Sequence, residues 1–169
     1  MNPYAFSDQR VAVFIDTQNI YHSAKNFYNK NIDFKSLLDI VVQERKLIRA
    51  IAYVIRSDLN EKELSFFEAL RNKGIELRIK DIIYFPGGEK KADWDVGLAI
   101  DAIKISKFVD VVILVSGDGD FVPLIDFLKN QGNIVEIAGF GRNTSSKLKE
   151  HADFFYDLDE FKKYIFLRK

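Results

Sequence analysis

A chain of 169 residues that is 47% apolar and 30% charged has the make-up of an ordinary globular protein, one domain in size and able to bury its core without staples. Twenty-five basic against 25 acidic residues exclude a uniformly basic nucleic-acid binder but not a local basic patch; the absence of cysteine removes disulfides, thiolate nucleophiles and cysteine-ligated zinc, and two histidines, His22 and His151, are too few for a histidine-rich zinc site. No apolar stretch nears the roughly 20 residues that span a bilayer, and MNPYAFSDQR lacks the charged and then apolar segments of a signal peptide, so a cytoplasmic protein with no membrane partner is expected.

The first strand is read at Val11–Asp16, an apolar run that stops at a carboxylate. Asn19–Phe27 has Ile20, Ala24 and Phe27 at helical spacing, and Asp33–Val42 is a second short helix with Asp33 suited to cap it. Ile48–Ile55 is rich in β-formers; Leu59–Asn72 places Leu64, Phe67 and Leu70 on one helical face and is closed by Gly74. Ile75–Ile79 reads as a strand, Ile82–Phe85 as another or its continuation, and Pro86–Lys91 as a loop. Trp94–Ser106 is apolar nearly all round and is expected to be a largely buried helix, with Trp94 in the core. Val111–Val115 is a strand, Phe121–Gln131 a helix ended by Gly132, Ile134–Ile137 a core strand, Gly139–Ser146 a loop, Lys147–His151 a short helical turn and Leu158–Leu167 a closing helix. Alternating strands and helices predict an α/β fold, a three-layer α/β/α sandwich on a mainly parallel sheet, with residues 1–10 a short extension and residues 11–169 a single domain.

In such sheets, ligands sit beyond the carboxyl ends of the strands. Two strands end there in polar residues: Asp16 with Asn19 three residues on, and Ser116-Gly117-Asp118-Gly119-Asp120. An Asx turn or helix cap would explain Asp16 alone. Two carboxylates one residue apart, flanked by glycines that let the backbone approach a ligand, need more than a cap. Carboxylates gathered in one place repel one another unless a cation neutralises them, and hard oxygen ligands suit Mg²⁺ or Mn²⁺.

The helix at Trp94 adds Asp93, read as a cap; Asp95, in the first turn where the helix dipole favours an anion; and Asp101, inside an apolar helix where a carboxylate needs a partner or a metal. Lys90 and Lys91 before that helix, Arg56 after the central strand, and Arg142 with Lys147 after the last core strand are candidate grips for a phosphate backbone, each equally readable as solvated surface. His22, one turn beyond Asn19, reads as a surface position within reach of the site.

Three segments in this order, VFIDTQNIY, KADWDVGLAIDA and VVILVSGDGDFVPLIDFLKNQG, together with TSSKLKEHADFFYDL near the end, resemble the NYN domain in its LabA-like group, a PIN-like nuclease fold, from about Val11 to Phe155. The resemblance implies a metal-dependent ribonuclease whose acidic site falls on Asp16, Asp95, Asp118 and Asp120, with Asn19 the supporting amide and Asp101 at an acidic position common in the helix. Thr17-Gln18 fill variable positions, and Asp93-Trp94 stand where small or aliphatic residues are often found. The expected chemistry is Mg²⁺- or Mn²⁺-assisted hydrolysis, with Ser116 helping to orient the ion or phosphate. The expected substrate is single-stranded RNA, cut internally, because an unpaired backbone reaches a cleft that a rigid duplex does not. A homodimer would lengthen the groove of so small a nuclease. Two rivals are a non-catalytic RNA-binding or regulatory module on the same fold, and a phosphatase of the haloacid dehalogenase type. The phosphatase needs an acid two residues after its nucleophile, where this chain has Gln18.

Overall fold

The structure is a computed structural model and describes residues 2–56, 61–84, 86 and 90–167. In chain order its elements are β1 (Arg10–Asp16), α1 (Thr17–Tyr28), α2 (Phe34–Val42), β2 (Lys46–Arg56), α3 (Glu61–Asn72), β3 (Glu76–Asp81), β4 (Ile83–Tyr84), β5 (Lys90–Lys91), α4 (Asp95–Ser106), β6 (Val111–Val115), α5 (Val122–Asn130), β7 (Ile134–Gly139), α6 (Ser146–His151) and β8 (Phe154–Asp157), with a 3₁₀ turn at Gly119–Phe121. Six of the strands form one sheet in the order β3-β2-β1-β6-β7-β8, every neighbouring pair parallel.

The apolar runs are continuous because the sheet is covered on both faces. Successive side chains of β1 part to opposite sides. Val11, Val13 and Ile15 pack with Ile20 and Ala24 of α1, Leu37 and Val41 of α2, and Phe67 and Leu70 of α3. Ala12 and Phe14 pack with Leu98 and Ala102 of α4, Ile125 and Leu128 of α5, and Leu148 of α6. The result is the expected three-layer α/β/α sandwich. The chain builds outward from β1 through β2 to β3, then returns to lay β6 on the other side of β1. The carboxyl ends of β1 and β6 therefore border a crevice at the point where strand order reverses. Among the described residues, no helix is long and apolar enough to cross a membrane.

Below the sheet's last strands lies a buried polar network. Arg45 meets Glu136 at 2.8 and 2.9 Å, and Glu136 also accepts from Asn2 at 2.8 Å and from the Tyr156 hydroxyl at 3.1 Å. Asn2 is itself buried, so this network ties the first residues of the chain to β7 and β8.

Three expectations are corrected. α4 is not buried all round: Leu98, Ala102 and Ile105 face the sheet, while Val96 is 70% and Ile100 45% exposed, because no further layer lies outside it. A strand does form at Ile83–Tyr84, within the expected Ile82–Phe85, but it lies outside the main sheet and pairs antiparallel with β5, Lys90–Lys91, where a loop was expected. Residues 158–164 are not a helix. A further parallel strand, β8, precedes them, and they run in turns such as Phe161 N to Leu158 O and Tyr164 N to Phe161 O. Leu158, Phe161 and Ile165 do have helical spacing, but the end of this segment gives its backbone to the α1–α2 connection instead: Asp33 N donates to Ile165 O at 2.7 Å and Leu167 N to Asn31 O at 3.0 Å. The expected beginning of α3 at Leu59, and the end of the expected strand at Phe85, lie outside the described residues.

Candidate active site

Asp16 both caps a helix and lines a cleft. It closes β1 and caps α1, its Oδ1 accepting from Asn19 N at 3.3 Å, while its Oδ2 accepts from the Ser116 hydroxyl at 2.9 Å. Ser116 Oγ in turn accepts from Asp118 N at 3.2 Å, and the Asn19 side-chain carbonyl accepts from Gly117 N at 2.9 Å. Asp118 Oδ1 accepts from Asp120 N at 3.0 Å and so starts the 3₁₀ turn. These bonds lace the end of β1 to the end of β6 and hold Asp16 and Asp118 on one crevice. The glycine at 117 is required by the neighbouring loop: a Cβ there would stand 2.9 Å from the Asn143 carbonyl oxygen and 3.1 Å from Thr144 Cα.

The crevice is a cleft of about 230 Å³ lined by Asp16, Gln18, Asn19, Tyr53, Asp93, Trp94, Asp95 and Asp118. α4 begins at its rim and presents Asp95 from its first turn. Asp93 lines the cleft rather than capping α4, whose N-cap position is held by Trp94 with no side-chain cap bond. Burial pushes the Asp16 carboxyl above its usual range. The bonds from Ser116 and Asn19 oppose that shift, and the negative charges of Asp95 and Asp118 add to it. Asp95 is raised by burial first, then by Asp118, Asp93 and Asp120, against a weaker pull from Lys80. Among the described residues, Asp16, Asp95, Asp118 and Asp120 make no ion pair, whereas carboxylates elsewhere do, as in Asp33 with Lys73, Asp81 with Arg56 and Asp153 with Lys129.

Asp101 stands apart from this group. Its Oδ2 accepts from the Tyr53 hydroxyl at 3.0 Å and from Arg78 Nε at 3.1 Å, so its partners are a phenol and a guanidinium. Burial and Asp101 together raise the Tyr53 hydroxyl and keep it protonated. Trp94 packs against the core as expected, but only partly buried, and it also forms a cleft wall: its Nε1 donates to Val54 O at 2.9 Å, its ring meets Tyr53 edge-on at 5.4 Å, and the Lys80 ammonium lies 4.7 Å from its ring centre. Gly97 makes room for that ring, because a Cβ there would lie 2.6 Å from it. Sequence reasoning missed Gln18, Tyr53 and Lys80. Only the position of Tyr53 near the end of a buried strand hinted at a place on the same edge as Asp16, its register partner.

Of the candidate phosphate grips, Arg56 is held by Asp81 in a two-pronged pair at 2.5 and 2.9 Å. Arg142 lies over the rings of Phe27 and Tyr28 at 5.9 and 5.6 Å and 3.9 Å from Asp159. Lys147 is exposed on α6, and the side chains of Lys90 and Lys91 lie outside the described residues. His22 is exposed on α1 and does not line the cleft.

Among the described residues, no three carboxylate or imidazole groups form a ready-made metal cluster. The donor chemistry does fit a hard divalent cation: oxygen ligands only, on a cleft where neighbouring carboxylates help to raise Asp16 and Asp95 and where these make no ion pair among the described residues. An open parallel sheet with an acidic crevice at its switch point defines an α/β protein of PIN-like fold. Residues 10–159 match the NYN domain, and the chain belongs to that family, whose members are generally nucleases and usually use divalent metals. It is 26% identical to the low amplitude and bright protein LabA of Synechococcus elongatus, over 95% of this chain and 90% of LabA. It is also 26% identical to an uncharacterized protein of Methanocaldococcus jannaschii, over 90% of this chain but 57% of that longer one. The crystal structure of a protein of unknown function from Vibrio parahaemolyticus superposes with a TM-score of 0.86 at 34% identity, covering 95% of this chain and 98% of that one.

Proposed function

We propose that this protein is a metal-dependent ribonuclease that hydrolyses internal phosphodiester bonds of single-stranded RNA at the β1/β6 crevice. The observation that carries the reading is the set of carboxylates that make no ion pair among the described residues. Asp16 and Asp95 are both raised by burial and by neighbouring negative charge, an arrangement that costs stability unless a cation or a protonated state relieves it. Membership of a family of nucleases supports the same conclusion.

Asp16, Asp95 and Asp118 would hold Mg²⁺ or Mn²⁺, with Asp120 beside them on the 3₁₀ turn. When bound, such an ion supplies Lewis acidity at the scissile phosphate and makes water a better nucleophile at neutral pH. Ser116 and Asn19 hold Asp16 and the Gly117 backbone in register, so that the carboxylates meet the substrate preset rather than by rearrangement. Trp94 and Tyr53 wall one side and reduce the water around the charges, which strengthens every interaction within. Gln18 places an amide at the cleft where a phosphatase of the haloacid dehalogenase type needs an acid.

The test is incubation of the purified protein, beside Asp118→Asn, with labelled single-stranded RNA and DNA in Mn²⁺, Mg²⁺ or chelator. Metal-dependent cleavage that is lost in the variant supports the proposal, and the RNA-to-DNA ratio sets the substrate. A folded protein that binds RNA but cleaves nothing in either metal would instead make it a binding module.

A further inference from the structure

We infer that the solvent face of α1 is a stacking track along which single-stranded RNA reaches the acidic cleft, an inference that rests on the ribonuclease reading above. Gln18 is exposed and lines the cleft. Tyr21, His22 and Lys25 follow it at three, four and seven residues, the spacing that places side chains on one helical face. The opposite face carries Ile20 and Ala24 into the core, so the helix is already anchored and its outer face is not needed for packing.

What that face presents suits a nucleic acid. The Tyr21 ring is 42% exposed, the His22 ring meets it edge-on with centres 5.8 Å apart, and the Lys25 ammonium lies 5.7 Å from the Tyr21 ring centre. α1 contains no acidic residue, although it starts at a cleft lined by Asp16, Asp93, Asp95 and Asp118. Exposed rings accept bases of any sequence by stacking, and an ammonium beside them meets the phosphates. At about 1.5 Å per residue, Gln18 to Lys25 spans about 10 Å, close to three stacked nucleotides at roughly 3.4 Å each. Bases already paired within a duplex cannot lie on these rings, so the track selects single strands before the cleft does.

The experiment is fluorescence anisotropy with a labelled oligouridylate on the full chain carrying Asp118→Asn, in Mg²⁺, so that the RNA stays intact. Added Tyr21→Ala weakens binding about tenfold, whereas Tyr21→Phe, which keeps the ring, restores it. Lys25→Ala makes the salt dependence shallower by about one phosphate contact. Phe108→Ala removes a still more exposed ring beyond the far end of α4 and leaves affinity unchanged. Duplex RNA competes poorly. If the parent binds the oligouridylate and Tyr21→Ala binds it equally well, the track is overturned while the nuclease reading stands. If the parent binds no single-stranded RNA, the reading beneath it falls, and the track with it.

Discussion

Substitution of Gly117 by alanine strikes the joint between the acidic crevice and the loop after β7. The new methyl carbon would stand 2.9 Å from Asn143 O, 3.1 Å from Thr144 Cα and 3.1 Å from Thr144 Oγ1, about half an ångström inside ordinary contact at the worst point. Two of these neighbours are backbone atoms, so no change of rotamer relieves them and the two loops must separate. Separation stretches Ser145 N to Gly117 O and Gly117 N to Asn19 Oδ1, each now 2.9 Å. Overpacking costs about 1–3 kcal/mol and a weakened hydrogen bond about 1 kcal/mol more, so roughly 2–4 kcal/mol is expected in total. At roughly 2–4 °C per kcal/mol for a chain of this size, the melting temperature falls by roughly 5–15 °C. Because Asp118 is the next residue, its carboxylate shifts with the loop, and RNA cleavage falls by about tenfold or more below the unfolding range. The assays are thermal melts and initial cleavage rates in Mn²⁺. Gly132→Ala is the control: its φ of +93° makes alanine strained by about 1 kcal/mol, yet nothing lies within 4 Å of the new carbon, so the rate holds. Equal melting temperatures and rates for Gly117→Ala and the parent would show that the contact does not constrain the site.

Four further outcomes are expected. Asp16→Asn is more stable than the parent at neutral pH in chelator. The raised carboxyl keeps its proton in the folded state after the unfolded chain has lost it, so the parent loses stability as pH rises from 3.8 through the folded value, and the variant's advantage vanishes below that window; a lower melting temperature at neutral pH would contradict this. Mn²⁺ at a hundredfold its dissociation constant stabilises the parent by about 2.7 kcal/mol, or roughly 5–11 °C, and Asp118→Asn by much less; equal shifts would place the ion elsewhere. Glu136→Gln strands Arg45, whose side chain is 1% exposed, and costs about 3–5 kcal/mol by urea unfolding, while the pair Arg45→Met with Glu136→Leu recovers most of it. Gly97→Ala drives Trp94 out of its place on the cleft wall; because Trp94 is the sole tryptophan, its emission moves to the red and cleavage falls, and an unchanged spectrum would refute the contact.

What could be read along the chain is what each residue requires of its own neighbourhood. Val11–Ile15 and Val111–Val115 had to be strands covered on both faces, and both runs are buried at the sheet's centre as their composition demanded. Asp16, Ser116 and Asp118 could be placed at strand ends because a polar group terminates an apolar run where the chain leaves the core. The site was legible to that extent, including the Asx cap that Asp16 also forms.

The tertiary structure decided which strand lies beside which. Laying β6 against β1 brings residues a hundred positions apart within a hydrogen bond, and no local periodicity carries that pairing. It decided the fate of individual charges: Asp101 finds Tyr53 and Arg78, and Asp81 finds Arg56, so neither belongs with the carboxylates that make no ion pair among the described residues, although all are aspartates in the sequence. It set Trp94 at the edge of the core, where it also walls the cleft, and gave residues 158–167 a non-helical path, because a side chain or a backbone amide takes the best partner the folded chain supplies. Propensity and spacing are short-range properties. Strand order, ion pairing and the closing of loops are settled only when distant segments compete for the same partners.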